Sequence, residues 1–296
     1  MTENASGECL IYDWNAQTHT GRVRRNNEDT FLVMRFDDQE SNYLGRTGCI
    51  RSTDGDLMLA VSDGMGGAQA GEYVSQLAVR MLMSLVSKEL HQRRSVRREE
   101  LDRKEVLKAF FKAIHEEAGR LSSPYEECRD MGATLSLVWL RGSEAHFAHV
   151  GDSRIYHLPW QGELHQVTDD HTPPGRLLRN GAIDEREARR HPLRNRLERC
   201  IGGGFESVEP QIGQFRLNPG DNVVLCSDGI SDGLWDHAIQ SLIQNPPPYV
   251  LGYPPAERLV KEANEAFGKD NLTAMVLTAS ALVKNKKHPM GEMPME

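Results

Sequence analysis

Four aspartates stand where apolar runs meet tight turns: Asp63, Asp152, Asp228 and Asp270. Asp63 ends the run Leu57-Met58-Leu59-Ala60-Val61 within Ser62-Asp63-Gly64, and more glycines follow at Gly66, Gly67 and Gly71. Asp228 ends a second such run, Asn222 to Cys226, again within Ser-Asp-Gly (Ser227-Asp228-Gly229). One Asp-Gly pair is ordinary turn chemistry. The repeated arrangement is what marks these carboxylates, together with Gly64, whose bare backbone carbonyl could face the same ligand.

Carboxylates brought close together repel, and burying them is costly unless a cation compensates. Hard divalent ions with oxygen ligands, Mn²⁺ or Mg²⁺, suit such a set, and without clustered histidines zinc does not. Four carboxylates suffice for two ions at the roughly 3.5–4 Å spacing of two-metal hydrolases. Such a pair lowers the pKa of a water bridging the ions and supplies hydroxide near neutral pH. The natural electrophile is a phosphorus centre. Arg24 lies in the polar loop His19 to Phe31 beside Arg22, Arg25, Glu28 and Asp29, and it is the candidate to hold two phosphate oxygens in a bidentate clamp.

The elements that must position these residues are legible in outline. The runs before Asp63 and Asp228 have the length and density of buried strands. Strands are also expected over Cys9 to Gln17, from Phe31 onward, over Gln211 to Leu217 and over Leu272 to Thr278. Gly132 to Leu140, Ala145 to Val150, Ile155 to Leu158 and Leu164 to Thr168 read as an antiparallel meander, with Asp152 inside it. Asp37 to Thr53 reads as a loose surface connection, and Asp54-Gly55 as a hairpin turn. Amphipathic spacing predicts helices over Glu72 to Leu90 and Val106 to Leu121, and helices are expected over Leu234 to Ile243 and Pro255 to Phe267. Two arginine-rich stretches stand apart. Gln92 to Lys104 is a solvated loop or a docking element for an acidic partner. His171 to Gly204, with eight arginines between Arg176 and Arg199, is a surface subdomain whose arginines either solvate it or steer a phosphorylated substrate. The tail from Lys284 is expected to be disordered.

Composition narrows the function classes. The chain of 296 residues carries a net charge of -8 without a long single-sign block, which argues against a nucleic-acid or anionic-membrane partner. No apolar run approaches the roughly 18 residues of a membrane span, and MTENASGECL lacks the charge-then-apolar pattern of a secretory signal. Five scattered cysteines without a Cys-x-x-Cys pair fit a reducing cytoplasm.

The segments GRVRRNNEDTF, AVSDGMGG, MGATLSL, AHVGDSRIYHL, QVTDDHT, LCSDGISDGLW and KDNLTAMVL, in that order between about Thr18 and Thr278, give the chain its identity by pattern. It resembles the metal-dependent Ser/Thr protein phosphatases of type 2C (the PPM family) in their compact bacterial form. The resemblance implies an α+β fold, a four-layer α-β-β-α sandwich of two antiparallel sheets flanked by helices. It implies one domain over residues 8–280, a flap over about 168–204 and a tail over 281–296. It implies that Asp63 bridges two metals, that Gly64 binds one through its carbonyl, and that Asp228 and Asp270 complete a shell. Asp152 would help hold a third metal and Arg24 would bind the substrate phosphate. Asp29 would act through metal-bound water, and Asn271 would orient the neighbouring aspartate. The expected activity is hydrolysis of phosphoserine and phosphothreonine on proteins, reversing a Ser/Thr kinase, by a monomer. Eukaryotic members often carry a histidine after the first Asp-Gly. Here Met65 stands there, so the resemblance assigns no proton donor, metal-bound water being one candidate.

Alternatives from other classes share parts of this pattern. A turnover-deficient phosphoprotein-binding module would usually have lost a metal-binding aspartate, and all four are present. A partner-switching phosphatase for a single regulatory protein would use the same chemistry on a narrower substrate. A metal nuclease is disfavoured by the acidic balance and the lack of a basic track.

Overall fold

The computed structural model describes residues 9–66, 70–92, 102–123, 128 and 130–282. The expectations for the 281–296 tail and for most of Gln92 to Lys104 lie outside these residues, although the last strand runs on to Ala281.

Two antiparallel sheets face each other. The first has the order β10 (His165–Gln166), β9 (Arg154–Leu158), β13 (Asn222–Cys226), β14 (Leu272–Ala281), β1 (Leu10–His19) and β4 (Thr47–Arg51). The second has the order β11 (Ile201–Gly202), β6 (Gly132–Ala133), β5 (Asp56–Met65), β7 (Leu135–Arg141), β8 (Glu144–Val150) and β12 (Gln211–Arg216), with β2 (Asp29–Phe36) paired to β5 and β3 (Ser41–Tyr43) to β2. Helices α1 (Ala70–Gln92) and α2 (Arg103–Ser122) cover the second sheet. Helices α5 (Asp228–Gly233), α6 (Asp236–Gln244) and α7 (Pro255–Ala266) cover the first. Helices α3 (Pro173–Arg179) and α4 (Glu185–Arg190) are two short helices within the 168–204 segment.

Strand alternation divides the apolar residues among three cores, one per layer boundary. Along β5, Met58 and Ala60 point to α1 and α2, whereas Leu57, Leu59 and Val61 point between the sheets. Along β13, Val223 and Leu225 enter the inter-sheet core, and Val224 and Cys226 the core under α7. A strand buried on both faces must be apolar throughout, which is why both runs read as continuous rather than alternating.

Three expectations are corrected. Asp37 to Thr53 is not a loose connection, because it holds β3 and β4. Strand β4 alternates exposed and half-buried residues and is held by its ladder to β1, Ile11–Asn15 against Thr47–Arg51. Such an edge strand carries little apolar signal. Asp54-Gly55 does not close a hairpin. It makes a turn, with Asp54 N–H donating to the Arg51 carbonyl at 3.0 Å, but β4 and β5 belong to different sheets. The meander is also broken. Strands β7 and β8 pair in the second sheet, whereas β9 pairs with β13 and β10 in the first. The chain changes sheets at Gly151-Asp152, so this aspartate sits at a crossover.

Candidate metal centre and phosphate cleft

Asp63 is placed by the period of β5. Leu57, Leu59 and Val61 face the inter-sheet core, so two residues on, where the apolar content ends, the same face carries a carboxylate. Its register partner on β2 is Asp29, and like charges directly opposite are destabilising in a sheet. The strand end is anchored from the side: Asp63 N–H donates to Thr134 Oγ1 at 2.9 Å, and the Thr134 N–H to the Asp63 carbonyl at 2.8 Å.

Asp228 follows β13 as the first residue of α5. Ser227 before it is fully buried and joins three elements: its Oγ donates to Asp29 Oδ2 at 2.7 Å and accepts the Thr273 N–H at 3.0 Å. Gly229 is dictated by close approach, since a Cβ there would lie 2.0 Å from the Asn271 carbonyl oxygen. That contact presses the Asp228 turn against the Asp270-Asn271 turn. Gly64 plays the same part for Asp63, because a Cβ would lie 2.2 Å from the Gly71 carbonyl oxygen at the start of α1. Asp152 is held through its neighbour: Gly151 N–H donates to His171 Nδ1 at 3.1 Å, and His149 Nε2 lies 3.1 Å from the Gly151 carbonyl. The two buried imidazoles stack at 4.9 Å. Burial above all holds both in the neutral form, His149 down to about 4 and His171 to about 3.

These turns open on one cleft of about 180 Å³, lined by Arg24, Asp63, Gly64, Asp152, Asp228 and Asp270. Six of the eight residues singled out from the sequence therefore share one wall-to-wall space. Burial, and then the charges of Asp29, Asp228, Asp152 and Asp270, push the Asp63 carboxyl well above the usual carboxylate range. Burial followed by Asp152, Asp232 and Asp270 does the same to Asp228. Asp152 is raised to about 7 by burial, Asp170 and Asp232. Asp29 is raised to about 6, chiefly by burial, against the opposing hydrogen bond from Ser227. Asp228 Oδ1 and Asp29 Oδ1 are buried without a hydrogen-bond partner. Among the described residues no three His, Cys, Asp or Glu side chains form a ready-made cage around one point, so the carboxylates line a shared space rather than enclose a single centre. Repelling, under-satisfied oxygens of this kind fit hard divalent cations.

The remaining two residues lie behind the wall. Asn271 was expected to orient Asp270, and its backbone N–H does donate to Asp270 Oδ1 at 2.9 Å. Its side chain has another task. Nδ2 donates to the Thr20 and Asn26 carbonyls, both at 2.9 Å, and Oδ1 accepts the Glu28 N–H at 2.8 Å. Asn271 thus fastens the loop that carries Arg24. Asp29 is buried behind Asp63, held by Ser227. Arg24 is half exposed and donates to Asp270 Oδ2 at 2.8 Å, so one carboxylate has both a guanidinium and any bound cation as counterions.

Sequence reasoning missed several residues of the cleft. Glu28 was noted only as part of an acidic pair, yet it lines the wall, and burial raises its carboxyl against the lowering effect of Arg24. Thr134 and Asn195 also line the cleft. Asn195 sits among the arginines of the 168–204 segment with no periodicity to mark it. The two serines of the Ser-Asp-Gly repeats did carry a signal in their duplication: Ser62 Oγ donates to the Thr134 carbonyl at 2.6 Å, as Ser227 Oγ does to Asp29. Met65 lines the cleft without offering a proton.

The chain is similar to known proteins. A family model described as Protein phosphatase 2C matches residues 46–273. The chain is 32% identical over 270 residues to the serine/threonine protein phosphatase PstP of Mycobacterium tuberculosis, covering 90% of this chain but 45% of that protein. The chain therefore spans less than half the length of that relative. It is 30% identical over 262 residues to protein phosphatase PhpP of Streptococcus pneumoniae, covering 88% and 95%. Among solved structures, the catalytic domain of PstP in complex with two manganese ions matches with a TM-score of 0.70 at 31% identity, covering 92% of this chain and 99% of that one. The serine/threonine phosphatase of S. agalactiae matches with a TM-score of 0.73 at 27% identity, covering 90% and 99%. With a family model over more than half its length and relatives of this identity across nine-tenths of it, the chain belongs to the protein phosphatase 2C family.

Proposed function

We propose that this protein hydrolyses phosphoserine and phosphothreonine on proteins, opposing a Ser/Thr kinase, and that it does so with Mn²⁺ or Mg²⁺ held as two ions with a third at Asp152. The observation that carries this reading is the convergence of Asp63, Asp152, Asp228, Asp270 and Arg24 on one cleft. The relatives' names, and the two manganese ions of PstP, support it. Asp63, the Gly64 carbonyl, Asp228 and Asp270 would hold the pair. When bound, such ions act as Lewis acids and lower the pKa of water enough to attack phosphorus at neutral pH. The protein's own groups do the rest. Arg24 would bind phosphoryl oxygens at the cleft wall, where it donates to Asp270 Oδ2. Asn271 keeps the Arg24 loop in register with the aspartates. Asp29 and Ser227 tie the ends of β2 and β13 together beneath the carboxylates. We place the protein in the cytoplasm as a monomer. Five unpaired cysteines fit that compartment, and no helix among the described residues is long and apolar enough to cross a membrane.

The test is hydrolysis of an aryl phosphate and a phosphothreonine peptide, after chelation and with Mn²⁺ or Mg²⁺ restored. Activity that returns only with metal supports the reading. A folded protein inactive with every divalent ion would sink it in favour of a phosphoprotein-binding module. A second expectation concerns Arg24→Ala. Because Arg24 is half exposed and offers binding more than bond-breaking, we expect KM to rise roughly tenfold with a smaller fall in kcat. A large kcat loss at unchanged KM, read from steady-state kinetics on the peptide, would refute that division.

A further inference from the structure

The eight arginines of the 168–204 segment divide into two groups of four. Arg186, Arg190, Arg196 and Arg199 are exposed, with no side-chain ion pair or hydrogen bond among the described residues. The other four are spent on the fold. Arg176 pairs with Glu198 at 3.2 Å, and Arg179 donates to the Asp170 carbonyl at 2.8 Å. Arg194 pairs with Asp232 at 2.6 Å. Arg189 donates to the Ser231 and Leu234 carbonyls at 2.6 and 3.0 Å, and its guanidinium stacks 4.0 Å from the Trp235 ring centre. Of the unpaired four, Arg186 and Arg190 share one pocket. They lie four residues apart on α4, both are exposed, and neither has an ion pair or hydrogen bond among the described residues. Like charges at this spacing repel.

The acidic groups beside them are already engaged. Asp184 caps α4 and accepts the Glu187 N–H at 2.8 Å, while Glu187 Oε2 accepts the Asp184 N–H at 2.8 Å. Glu185 pairs with Arg189 at 3.2 Å. What remains is a surface pocket of about 770 Å³ with Arg186 and Arg190 on one side and Trp235 and His237 on the other. Trp235 is 37% exposed, an aromatic wall for the stem of an incoming side chain. The pocket's lining carries Arg186, Arg189 and Arg190 against Asp184 and Glu185, a net positive site in a chain of net charge -8.

The pocket lies near the cleft. A smaller hollow beneath α4 shares Glu185 and Arg189 with the pocket, and Asp152, Asn195 and Asp228 with the metal cleft. Shared walls put the pocket within reach of residues flanking a phosphoresidue in the cleft.

We propose that the pocket formed by Arg186, Arg190, Trp235 and His237 binds an acidic segment flanking the phosphoresidue of the protein substrate. The proposal rests on the phosphatase reading for its substrate and adds a sequence preference to it. Two charge-assisted contacts at a partly desolvated site give roughly a tenfold preference.

The experiment measures binding in chelated protein, where no turnover occurs. Labelled phosphothreonine peptides carry either glutamates or alanines at three to eight residues on each side of the phosphoresidue, and anisotropy reads Kd. The wild type is expected to bind a glutamate peptide roughly tenfold more tightly than its alanine counterpart. The double variant Arg186→Gln/Arg190→Gln is expected to lose that preference while its affinity for the alanine peptide stays the same. A control, Arg46→Gln/Arg51→Gln, removes two exposed charges from the region of β4 and should retain the preference. No preference in the wild type, a preference that survives in the α4 variant, or an equal loss in the control would each overturn the pocket. Aryl phosphate turnover with Mn²⁺ is measured in parallel. If it is absent while the α4 variant still abolishes the preference, the pocket stands and the hydrolytic reading falls.

Discussion

Replacing Asp228 with Asn is expected to lower metal-dependent kcat by roughly 10³-fold or more while leaving the protein folded. The substitution keeps shape and removes charge. Asp228 Oδ1 is buried with no hydrogen-bond partner, so its remaining use is to meet a cation. The stability change should have the opposite sign to the activity change in chelated protein. Burial and the charges of Asp152, Asp232 and Asp270 raise the Asp228 carboxyl well above its ordinary value. A carboxyl raised in the folded state holds more protons there than when unfolded, so stability falls as pH climbs from the ordinary range toward the raised value. Chelated wild type should therefore lose thermal stability as pH climbs above about 4, and the Asn variant should lose less. Added Mn²⁺ should raise the melting temperature of the wild type and barely move the variant. Near-wild-type turnover, or equal stabilisation of both by Mn²⁺, would show that Asp228 holds no metal.

The second large effect is expected from Gly64→Ala. The added Cβ would lie 2.2 Å from the Gly71 carbonyl oxygen and 2.4 Å from its carbon. Both are backbone atoms where α1 begins, so no side chain can swing away. Either the end of β5 or the start of α1 must shift, and both Asp63 and the Gly64 carbonyl ride on that strand end. Displacement of this order costs roughly 10²-fold in turnover when reacting groups are pre-positioned, with about 1–3 kcal/mol of stability lost to overpacking. Gly119→Ala is the matched control, because a Cβ there meets nothing within 4 Å. Chemical denaturation and steady-state kinetics on both variants check the contrast. Turnover of Gly64→Ala within twofold of wild type would mean that the close approach does not position the site.

Legibility in the sequence follows the range of the interaction. Asp63 and Asp228 were visible because their signal is local: a doubly buried strand must be apolar, and it ends where a Ser-Asp-Gly turn begins. The same holds for β13, whose bounds are those expected from the sequence. Helix α5 was not visible, because DGISDG carries two glycines and no apolar stripe, and its stability comes from contact with α7 and β14.

What the sequence by itself determined is the alternation of faces, the two Asp-Gly strand ends and, through its motif order, the family and the layered fold. Each depends on residues within a few positions of one another or on an ordered set of short patterns. Only the tertiary structure decided which sheet each strand joins, that the chain crosses between sheets at Gly151-Asp152, and that Asn271 fastens a loop 243 to 251 residues away in the chain. It alone separated the arginines of the 168–204 segment consumed by the fold from the four that are not, and placed two of these in one pocket. Charge is written in the sequence, but whether a charge is satisfied depends on partners brought from remote parts of the chain, and no local pattern encodes that.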